Sequence, residues 1–380
     1  MSGYEVLVIG GGMAGVSIAA ELAAGGTVGL LEMEDRLAYH TTGRSAATFL
    51  ETYGGDQVRA LTTGSRAFLE APPEGFEPKL LTPRPLLQFV KQGRGDVLRG
   101  LHREVLPLVP DASLLDADEV VRAYPVLRPG YAEVGMLEPG AMEIDVMAVH
   151  QGYLKQLRAR GGEVHKQSKV VSLRRQGSGW QVSTADGSSY SADLVVNAAG
   201  AWGDVVAQLA GLSPVGLVPA LRSIFMVNSP DPELTQGLPL FGDTEQSFYI
   251  KPEGLQFLCS PADETPSEPK DAAPDQLEIA RAIDEINAAT TLGVRSVNTT
   301  WGGLRTFAPD HNFVMGLDPQ SDTFMWFVGQ GGYGIQTAPA AARLGAALAQ
   351  GRPAPQDLVD RGLDVARLSP GRVMLSDAGH

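Results

Sequence analysis

The start of the chain alternates between short apolar runs and glycine-rich breaks. Residues 4–9 are mostly apolar, as in a buried strand, and residues 10–15 follow with four glycines. Residues 16–24 are rich in alanine and apolar at helical spacing, and residues 28–32 form the next apolar run. A strand, a glycine turn, a helix and a strand in this order predict a βαβ unit with two parallel strands.

The rest of the chain divides into regions of different apolar periodicity. Apolar residues at helical spacing predict further helices over residues 57–70, 96–108, 145–158, 276–290 and 335–349. Short apolar or alternating runs predict strands over residues 86–90, 170–175, 179–184, 189–190, 193–197, 223–227, 247–251, 255–259 and 324–328. Between residues 215 and 300 the strands are separated by loops rich in proline and aspartate, whereas a strand, a glycine turn and a helix return after residue 301.

This arrangement predicts an α/β fold, α+β overall, with two domains. A Rossmann-like dinucleotide-binding domain is expected to comprise residues 1–80, 141–214 and 301–380. A substrate-binding domain with a mostly antiparallel sheet, residues 81–140 and 215–300, is expected to be inserted into it. A chain of 380 residues is long enough to form two hydrophobic cores.

Charge and cysteine content exclude several classes of partner. The net charge is −14, and such a surface repels nucleic acid and anionic lipid. The single cysteine, Cys259, cannot form an internal disulfide, and no Cys/His cluster has metal-ligand spacing. Residues 6–31 carry one charge, Glu21, but they contain seven glycines and no basic residue precedes them, which argues against a signal peptide or a membrane span. We therefore expect a cytoplasmic protein with no metal and no integral membrane segment.

The glycine turn and an acidic residue beyond it indicate a dinucleotide site. Gly10 permits a tight turn, Gly12 lets the backbone approach a pyrophosphate, and Gly15 lets the helix pack on the sheet. Glu32 closes the next strand and would accept hydrogen bonds from a ribose 2′-OH, which disfavours NADP. The alternative is a glycine-rich turn in an unrelated α/β protein.

Two further segments favour FAD over NAD. Residues 41–47 are small, polar and flexible, which suits a segment that wraps a cofactor. A second glycine turn, residues 331–334, precedes a predicted helix whose positive end would face the flavin N1–C2=O edge. Two ordinary turns are the simpler alternative.

These motifs occur in an order that resembles a known family. The opening βαβ unit is followed by Thr42-Gly43-Arg44-Ser45, by residues 195–202, by Gly303-Leu304-Arg305 and by residues 330–334. The sequence resembles the D-amino-acid oxidase, glycine oxidase and sarcosine oxidase family of FAD enzymes over nearly the whole chain. Within this family the resemblance is strongest to bacterial D-arginine dehydrogenases, which oxidise a broad range of D-amino acids.

The resemblance and the glycine motif together imply the site residues. FAD is expected to contact Gly10, Gly12, Ala14, Gly15, Glu32, Met33, Thr42, Arg44, Ser45, Ala46, Ala47, Val170, Ala199, Gly200, Trp202, Gly331, Gly332, Tyr333, Gly334, Ile335 and Gln336. The resemblance implies that the substrate carboxylate binds Arg222, Tyr249 and Arg305. It also implies that Tyr53 covers the pocket and that the Gly332 carbonyl faces the amino group. The expected pocket residues are Thr48, Leu86, Leu240, Gly303 and Gln336.

The two arginines support this assignment through their own chemistry. Arg305 lies in the otherwise apolar run 301–307, and Arg222 lies at the start of an apolar strand, so each cation needs an anion. A guanidinium binds a carboxylate through two charge-assisted hydrogen bonds. The alternative is that each arginine pairs with one of the 44 acidic residues of the chain.

The expected reaction is oxidative deamination. The α-hydrogen of the amino acid leaves as hydride to flavin N5, and the imine hydrolyses to a 2-keto acid and ammonia. No Ser/His/Asp or Cys/His set is needed, and none is evident in the sequence. His40 lies beside the flavin segment and is interpreted as a structural hydrogen-bonding residue, with a base or a covalent flavin anchor as alternatives.

Departures from the arginine-preferring enzyme predict the substrate. That enzyme carries a glutamate after a Pro-Arg-Pro sequence and a histidine three residues after the serine of the flavin segment, whereas this chain has Leu86 and Thr48 there. A buried leucine cannot neutralise a substrate cation, so we expect a preference for neutral, apolar D-amino acids. Glu51 remains a possible replacement acid.

Three other functions stay open from the sequence. A glycine or sarcosine oxidase would act on a smaller amine, and a 2-hydroxyacid dehydrogenase would need a base for which no strong candidate is present. A non-catalytic flavin-binding accessory protein would have no use for Arg222, Tyr249 and Arg305 together. The electron acceptor, a quinone or oxygen, is not determined by the sequence.

Overall fold

The computed structural model describes residues 2–231 and 233–372. Met1, Pro232 and residues 373–380, which belong to the predicted domain segments, lie outside the described residues. Helices are combined with one eight-stranded, one ten-stranded and one three-stranded sheet. The fold is therefore mixed α/β, as the sequence predicts.

The eight-stranded sheet contains the predicted βαβ unit. Ser2–Ile9 pairs in parallel with Val28–Leu31 and, on its other side, with Ser189–Asn197. The first helix begins at Met13, directly after the glycine turn. The other strands of this sheet are Glu163–His165, Val170–Gln176, Gly179–Thr184, Val314–Asp318 and Ser321–Val328.

One strand of this sheet differs from the prediction. Residues 189–190 and 193–197 were predicted as separate strands but form the single strand Ser189–Asn197. Its first half pairs antiparallel with Gly179–Thr184, and its last residues pair in parallel with Ser321–Val328. Ser191 and Ala192 keep regular ladder partners on Ser2–Ile9, so the strand continues through the polar interruption.

The ten-stranded sheet is mostly antiparallel, as predicted. One pair, Leu86–Lys91 with Leu240–Asp243, is parallel, and the other pairs are antiparallel. The remaining strands are Ser113–Asp116, Ala132–Glu138, Val218–Asn228, Tyr249–Glu253, Gln256–Ser260, Thr265–Pro266, Thr299–Phe307 and Gln330–Gly331. The three-stranded sheet consists of Thr48–Phe49, Met142–Ile144 and Leu81–Pro83.

The helices surround these sheets. The α-helices are Met13–Leu22, Asp56–Glu70, Gly95–Val105, Ala117–Ala123, Val146–Ala159, Gly203–Leu209, Leu234–Gly237, Gln276–Ala289, Ala338–Ala349 and Gln356–Val359. Short 3₁₀ helices are formed by Thr41–Arg44, Gly200–Trp202 and Val365–Arg367. Among residues 2–231 and 233–372, no helix has the length and apolar character that a membrane crossing requires.

The helix predicted over residues 335–349 begins later than expected. It starts at Ala338, because the preceding residues form turns in which Tyr333 N donates to Gln330 O at 2.9 Å. Residues 335–337 therefore separate the second glycine turn from the helix. The prediction that the helix begins directly after Gly334 is wrong.

The two large sheets are joined where the second glycine turn begins. Gln330–Gly331 pairs with Phe307 and Thr306 at the end of Thr299–Phe307. That strand lies in the ten-stranded sheet, although residues 301–307 fall in the predicted dinucleotide-binding domain. The exact division into two domains remains our proposal.

Candidate active site

The first glycine turn has a backbone that larger residues would disrupt. Gly10 has φ of +114°, and a Cβ added there would lie 2.4 Å from the carbonyl oxygen of Ala198. A Cβ on Gly15 would lie 1.7 Å from the carbonyl oxygen of Gly10. The helix that starts at Met13 is thus held close to the turn, and its first residues, Met13 and Ala14, line the adjacent cleft.

The Glu32 carboxylate lies beside this turn and is buried. It accepts hydrogen bonds from the backbone N–H groups of Gly11 at 2.7 Å and Glu34 at 2.9 Å. Burial raises the pKa of Glu32, and the two backbone donors act in the opposite direction. The carboxylate is therefore fixed at the end of its strand, where it would meet a ribose hydroxyl.

Segment 41–46 is attached to the ten-stranded sheet by hydrogen bonds. Thr41 Oγ1 donates to the Leu304 carbonyl at 2.7 Å, and Arg44 Nη1 donates to the Gly302 carbonyl at 2.9 Å. Trp301 Nε1 in turn donates to the Arg44 carbonyl at 3.0 Å. The Arg44 guanidinium, which also pairs with Asp271, thus holds the segment in place.

A single large cleft runs from the first glycine turn to the two predicted carboxylate-binding arginines. Its space, which includes a part open to solvent, amounts to about 1630 Å³. The predicted residues that line it are Gly10, Gly12, Ala14, Glu32, Met33, Thr42, Arg44, Ser45, Ala46, Val170, Ala199, Gly200, Trp202, Arg222, Tyr249, Gly303, Arg305, Gly331, Gly332, Gly334 and Ile335. The predicted residues outside its lining are Gly15, Ala47, Thr48, Tyr53, Leu86, Leu240, Tyr333 and Gln336.

Strand register explains why the carboxylate-binding candidates meet. Arg222 lies opposite Gly303, and Arg305 lies opposite Ala220, on neighbouring antiparallel strands. Side chains two residues apart share a face of a sheet, as do residues directly opposite each other, so both arginines project from one face. Tyr249 reaches the same face through the pairs Met226 with Leu258 and Tyr249 with Ser260.

Both guanidinium groups approach one carboxylate that the sequence did not single out. Arg222 Nη2 lies 2.7 Å from Glu264 Oε1, and Arg305 Nη1 lies 4.0 Å from the same oxygen. Arg222 is buried, and burial together with the neighbouring Arg305 charge lowers its pKa. We call Arg222, Tyr249 and Arg305 the arginine clamp.

A loop that carries Tyr53 contacts the arginine clamp. Arg305 Nη1 donates to Tyr53 Oη at 3.1 Å. Gln336, which is buried, accepts from Leu50 N at 3.1 Å and donates to Thr62 Oγ1 at 2.9 Å. The Gln336 amide therefore binds Leu50 of the loop and Thr62, and it does not line the cleft.

A buried carboxyl group, Glu138, holds the same loop. Thr52 Oγ1 donates to Glu138 Oε2 at 2.6 Å. Glu138 is 1% exposed, and burial raises its pKa to about 7. It lies opposite Leu86 in the sheet, so the two side chains share a face.

The predicted apolar pocket residues form a cluster. Leu86 lies beside Leu240 in parallel register, and both are packed with Leu50. Tyr53 and Tyr249 contact this cluster, which places it next to the arginine clamp. Thr48 lies in the three-stranded sheet, opposite Glu143.

Two other candidates have partners elsewhere in the structure. Glu51, the possible replacement acid, forms two hydrogen bonds with Arg66, at 3.0 and 2.6 Å. His40 Nε2 lies 2.8 Å from Glu34 Oε1, and its ring lies 4.7 Å from that of Trp202. The hydrogen bond with Glu34 agrees with the structural role predicted for His40, which also lines the cleft, and that role stays a prediction.

Other contributors to the site gave no usable local signal in the sequence. His150 Nε2 lies 3.0 Å from the Gly11 carbonyl and supports the first glycine turn from the helix Val146–Ala159. Ser168, Lys169, Leu304 and Thr306 also line the cleft. Within the described part of the chain, no cluster of three or more His, Cys, Asp or Glu side chains is arranged to hold a metal ion.

Comparison with known proteins identifies the family. The chain matches the family described as FAD dependent oxidoreductase (DAO) over residues 5–348. It therefore belongs to the DAO family of FAD-dependent oxidoreductases, and FAD is its cofactor.

Individual relatives are distant. Mitochondrial dimethylglycine dehydrogenase from Mus musculus is 26% identical over 268 residues, which cover 68% of this chain and 30% of that protein. The chain thus spans less than a third of the length of this relative. Glycine oxidase from Bacillus licheniformis is 23% identical over 375 residues, which cover 94% of this chain and 96% of that protein. The crystal structure of glycine oxidase from Geobacillus kaustophilus has the same fold, with a TM-score of 0.84 and 20% identity over 98% of this chain and 99% of that chain.

The residues present fit FAD. The end of the cleft at the first helix is lined by the first glycine turn, which has no side chains at Gly10 and Gly12, by the hydrogen-bonded Glu32 carboxylate and by segment 41–46. The second glycine turn borders the other end, where a Cβ added to Gly332 would lie 3.0 Å from the Arg305 guanidinium and would press against it. We expect the adenosine and pyrophosphate at the first end and the isoalloxazine near the arginine clamp.

Gly15→Ala is predicted to abolish FAD binding. The added methyl group would overlap the Gly10 carbonyl and push the helix away from the turn. The ratio of flavin to protein absorbance after purification measures the loss. Gly237→Ala, at a site with open space around the glycine, is the control and is expected to retain full flavin. Full flavin in Gly15→Ala would contradict the assigned role of the turn.

Glu138→Gln is predicted to change the pH dependence of stability. The folded protein keeps the Glu138 proton up to a pKa of about 7, whereas the unfolded chain releases it near 4.5, so wild-type stability falls as pH rises through this window. A glutamine has no proton to lose. The variant should match the wild type at about pH 5 and exceed it by on the order of 3 kcal/mol at about pH 8.

Thermal and urea unfolding at the two pH values measure this difference. Glu74→Gln, which removes an exposed carboxylate, is the control and should show no such pH-dependent gain. A gain for Glu138→Gln that is equal at both pH values would disprove the titration of Glu138 in this range.

Proposed function

We propose that this protein is an FAD-dependent D-amino-acid dehydrogenase that deaminates neutral or apolar D-amino acids. The reaction converts the amino acid to an imine, which water hydrolyses to a 2-keto acid and ammonia. The family supports an FAD-dependent oxidoreductase. The substrate class is inferred from the arginine clamp and from the apolar cluster beside it.

One observation carries the proposal. The Arg222 and Arg305 guanidinium groups converge on a single carboxylate oxygen of Glu264. Two buried or half-buried cations that converge in this way form a site for a carboxylate. An amino acid is a small carboxylate whose reacting carbon is directly attached to that group, so its binding also fixes the reacting atom.

The chain's own groups have defined roles in this proposal. Arg222, Arg305 and Tyr249 hold the substrate carboxylate, and the Gly332 carbonyl accepts a hydrogen bond from the amino group. Tyr53, which is already hydrogen-bonded to Arg305, covers the bound substrate and limits access of water. Bound FAD would supply the two-electron acceptor for the hydrogen on the α-carbon, which the clamp residues orient. The protein supplies orientation and charge, and the proposal needs no side-chain base, because the substrate reacts with its amine neutral and the ammonium proton has already passed to water.

The apolar cluster supports the preference for neutral side chains. Leu86 and Leu240 are buried next to Tyr249, and Glu51 is neutralised by Arg66. A substrate guanidinium at Leu86 would therefore lose its hydration, and the acidic group opposite Leu86 is Glu138, whose pKa burial raises to about 7 and which Thr52 already binds. This distinguishes the chain from the arginine-preferring dehydrogenases that it otherwise resembles.

A glycine or sarcosine oxidase is the second candidate. The match to Bacillus licheniformis glycine oxidase extends over nearly the whole of both chains and favours this activity. Such an enzyme would use the same arginine clamp, because glycine and sarcosine also carry a carboxylate. The two proposals differ in whether a substrate side chain extends past Tyr249 to the apolar cluster of Leu86 and Leu240, which lies behind the cleft lining.

Apolar D-amino acids are predicted to be the best substrates of the protein in a panel of amino acids. FAD-loaded protein is mixed anaerobically with D-leucine, D-methionine, D-phenylalanine, D-arginine, their L-enantiomers, glycine and sarcosine, and flavin bleaching is followed. The apolar D-amino acids should give the highest kcat/KM. A higher value for D-arginine would refute the side-chain preference, and a higher value for glycine or sarcosine would favour the second candidate. Faster bleaching by the L-enantiomers would refute D-selectivity, and admission of air then reports whether oxygen is an acceptor.

Arg305→Lys is predicted to lower kcat/KM for the best amino acid about 10- to 100-fold, because the fork of donors is replaced by one ammonium. Flavin content should not change. The control Arg343→Lys alters a surface arginine that pairs with Asp357 and should leave kcat/KM unchanged. The amine that has the same side chain as the amino acid but lacks its carboxylate should react equally poorly with wild type and Arg305→Lys. If Arg305→Lys lowered kcat/KM for this amine as much as for the amino acid, Arg305 would not act on the carboxylate.

A further inference from the structure

Glu264 lies at the arginine clamp but belongs to a loop that the proposed reaction does not use. The loop precedes the short strand Thr265–Pro266, whose Thr265 pairs with Leu221, the neighbour of Arg222. Asp263 fixes the loop, since its carboxylate accepts from Ser223 N at 2.7 Å and from Ser223 Oγ at 2.8 Å. The Glu264 backbone is thus held next to Arg222, while its side chain is 39% exposed.

The arginine clamp needs an anion when no substrate is bound. Arg222 is 5% exposed, and among the described residues its Nε has no hydrogen-bond partner. Arg305 brings a second positive charge onto the same face of the sheet. The Glu264 carboxylate neutralises this pair at 2.7 Å from Arg222 and 4.0 Å from Arg305. A buried cation without such a partner would be strongly unfavourable.

A substrate carboxylate that is held by both guanidinium groups needs the position between them. Glu264 Oε1 takes that position, since it lies within 2.7 Å of Arg222 Nη2 and 4.0 Å of Arg305 Nη1, so the two carboxylates compete for it. The exposure of the Glu264 side chain gives its carboxylate a route to water, whereas Arg222 cannot move out of the sheet. The displaced group is therefore Glu264.

We propose that Glu264 is a displaceable occupant of the arginine clamp, which it neutralises in the empty site and leaves when a substrate carboxylate binds. This inference rests on the proposed function, because it requires that the clamp bind a ligand carboxylate. Glu264 then sets the affinity for carboxylate ligands without contacting the reacting carbon. It raises the Kd of every anionic ligand, since each anion must first displace it, and leaves the binding of uncharged ligands unchanged.

The test measures binding separately from turnover. FAD-loaded wild type, Glu264→Gln and Glu264→Ala are titrated by calorimetry with 4-methylpentanoate, a carboxylate that lacks the amino group and cannot be oxidised in this reaction. Removing the competing carboxylate should lower Kd at least about tenfold in both variants. The uncharged 4-methylpentanamide should bind all three proteins alike. Glu268→Gln, which removes one exposed charge from the same region of the chain, should bind 4-methylpentanoate like wild type.

A stability measurement supplements the titration. Without ligand, Glu264→Gln should melt at a lower temperature than wild type, because Arg222 has lost its partner. Saturating 4-methylpentanoate should raise the melting temperature of the variant more than that of the wild type. For the preferred amino acid, the variant should show a lower KM with little change in kcat.

The possible failures are distinguishable. If wild type binds 4-methylpentanoate, Arg305→Lys weakens that binding and Glu264→Gln binds no tighter, the displacement is wrong and the clamp remains. Weaker binding by Glu264→Gln also overturns the displacement, because Glu264 would then help to hold the ligand. If neither wild type nor Glu264→Gln binds the carboxylate, or if Arg305→Lys has no effect on binding, the arginine clamp and the proposed function both fail.

Discussion

Two guanidinium groups on one face of an antiparallel sheet are the constraint on which this site depends. The register between Val218–Asn228 and Thr299–Phe307 puts Arg222 and Arg305 side by side, and neither can be left without an anion. The same face continues through Tyr249 to Leu240 and Leu86. The sheet therefore presents a cationic region and an apolar region next to each other. These two regions are complementary to the carboxylate and the apolar side chain of one amino acid.

The cofactor end is built by different means. There the backbone itself forms the surface, and the absence of Cβ atoms at Gly10 and Gly15 lets a turn, a strand end and a helix meet. At the other end, the second glycine turn is attached directly to the strand of the arginine clamp, because Gly331 pairs with Thr306, the neighbour of Arg305. A cofactor that extends along the cleft would thus bring its reactive ring to the arginine clamp without a separate positioning element.

Sequence reasoning found the features that depend on short stretches of chain. The βαβ unit, the glycine turn and Glu32 are encoded within adjacent residues, and the resemblance to a family added the clamp residues. The single strand Ser189–Asn197 and the late helix start at Ala338 were missed, because ladder partners and turns outside the local pattern decide them. Glu264 and Glu138 gave no signal, since each acquires its role from a contact with a residue far away in sequence. Gln336 was assigned to the cleft, but its amide is used by Leu50 and Thr62.

The central claim is that this face of the sheet holds a ligand carboxylate between two arginines. The most direct measurement is a crystal structure of the FAD-loaded protein with 4-methyl-2-oxopentanoate, the keto acid formed from D-leucine. The account predicts the ligand carboxylate within hydrogen-bond distance of both Arg222 and Arg305, the isobutyl group against Leu86 and Leu240, and the Glu264 side chain turned towards solvent. A keto acid bound with its carboxylate away from both arginines would contradict it.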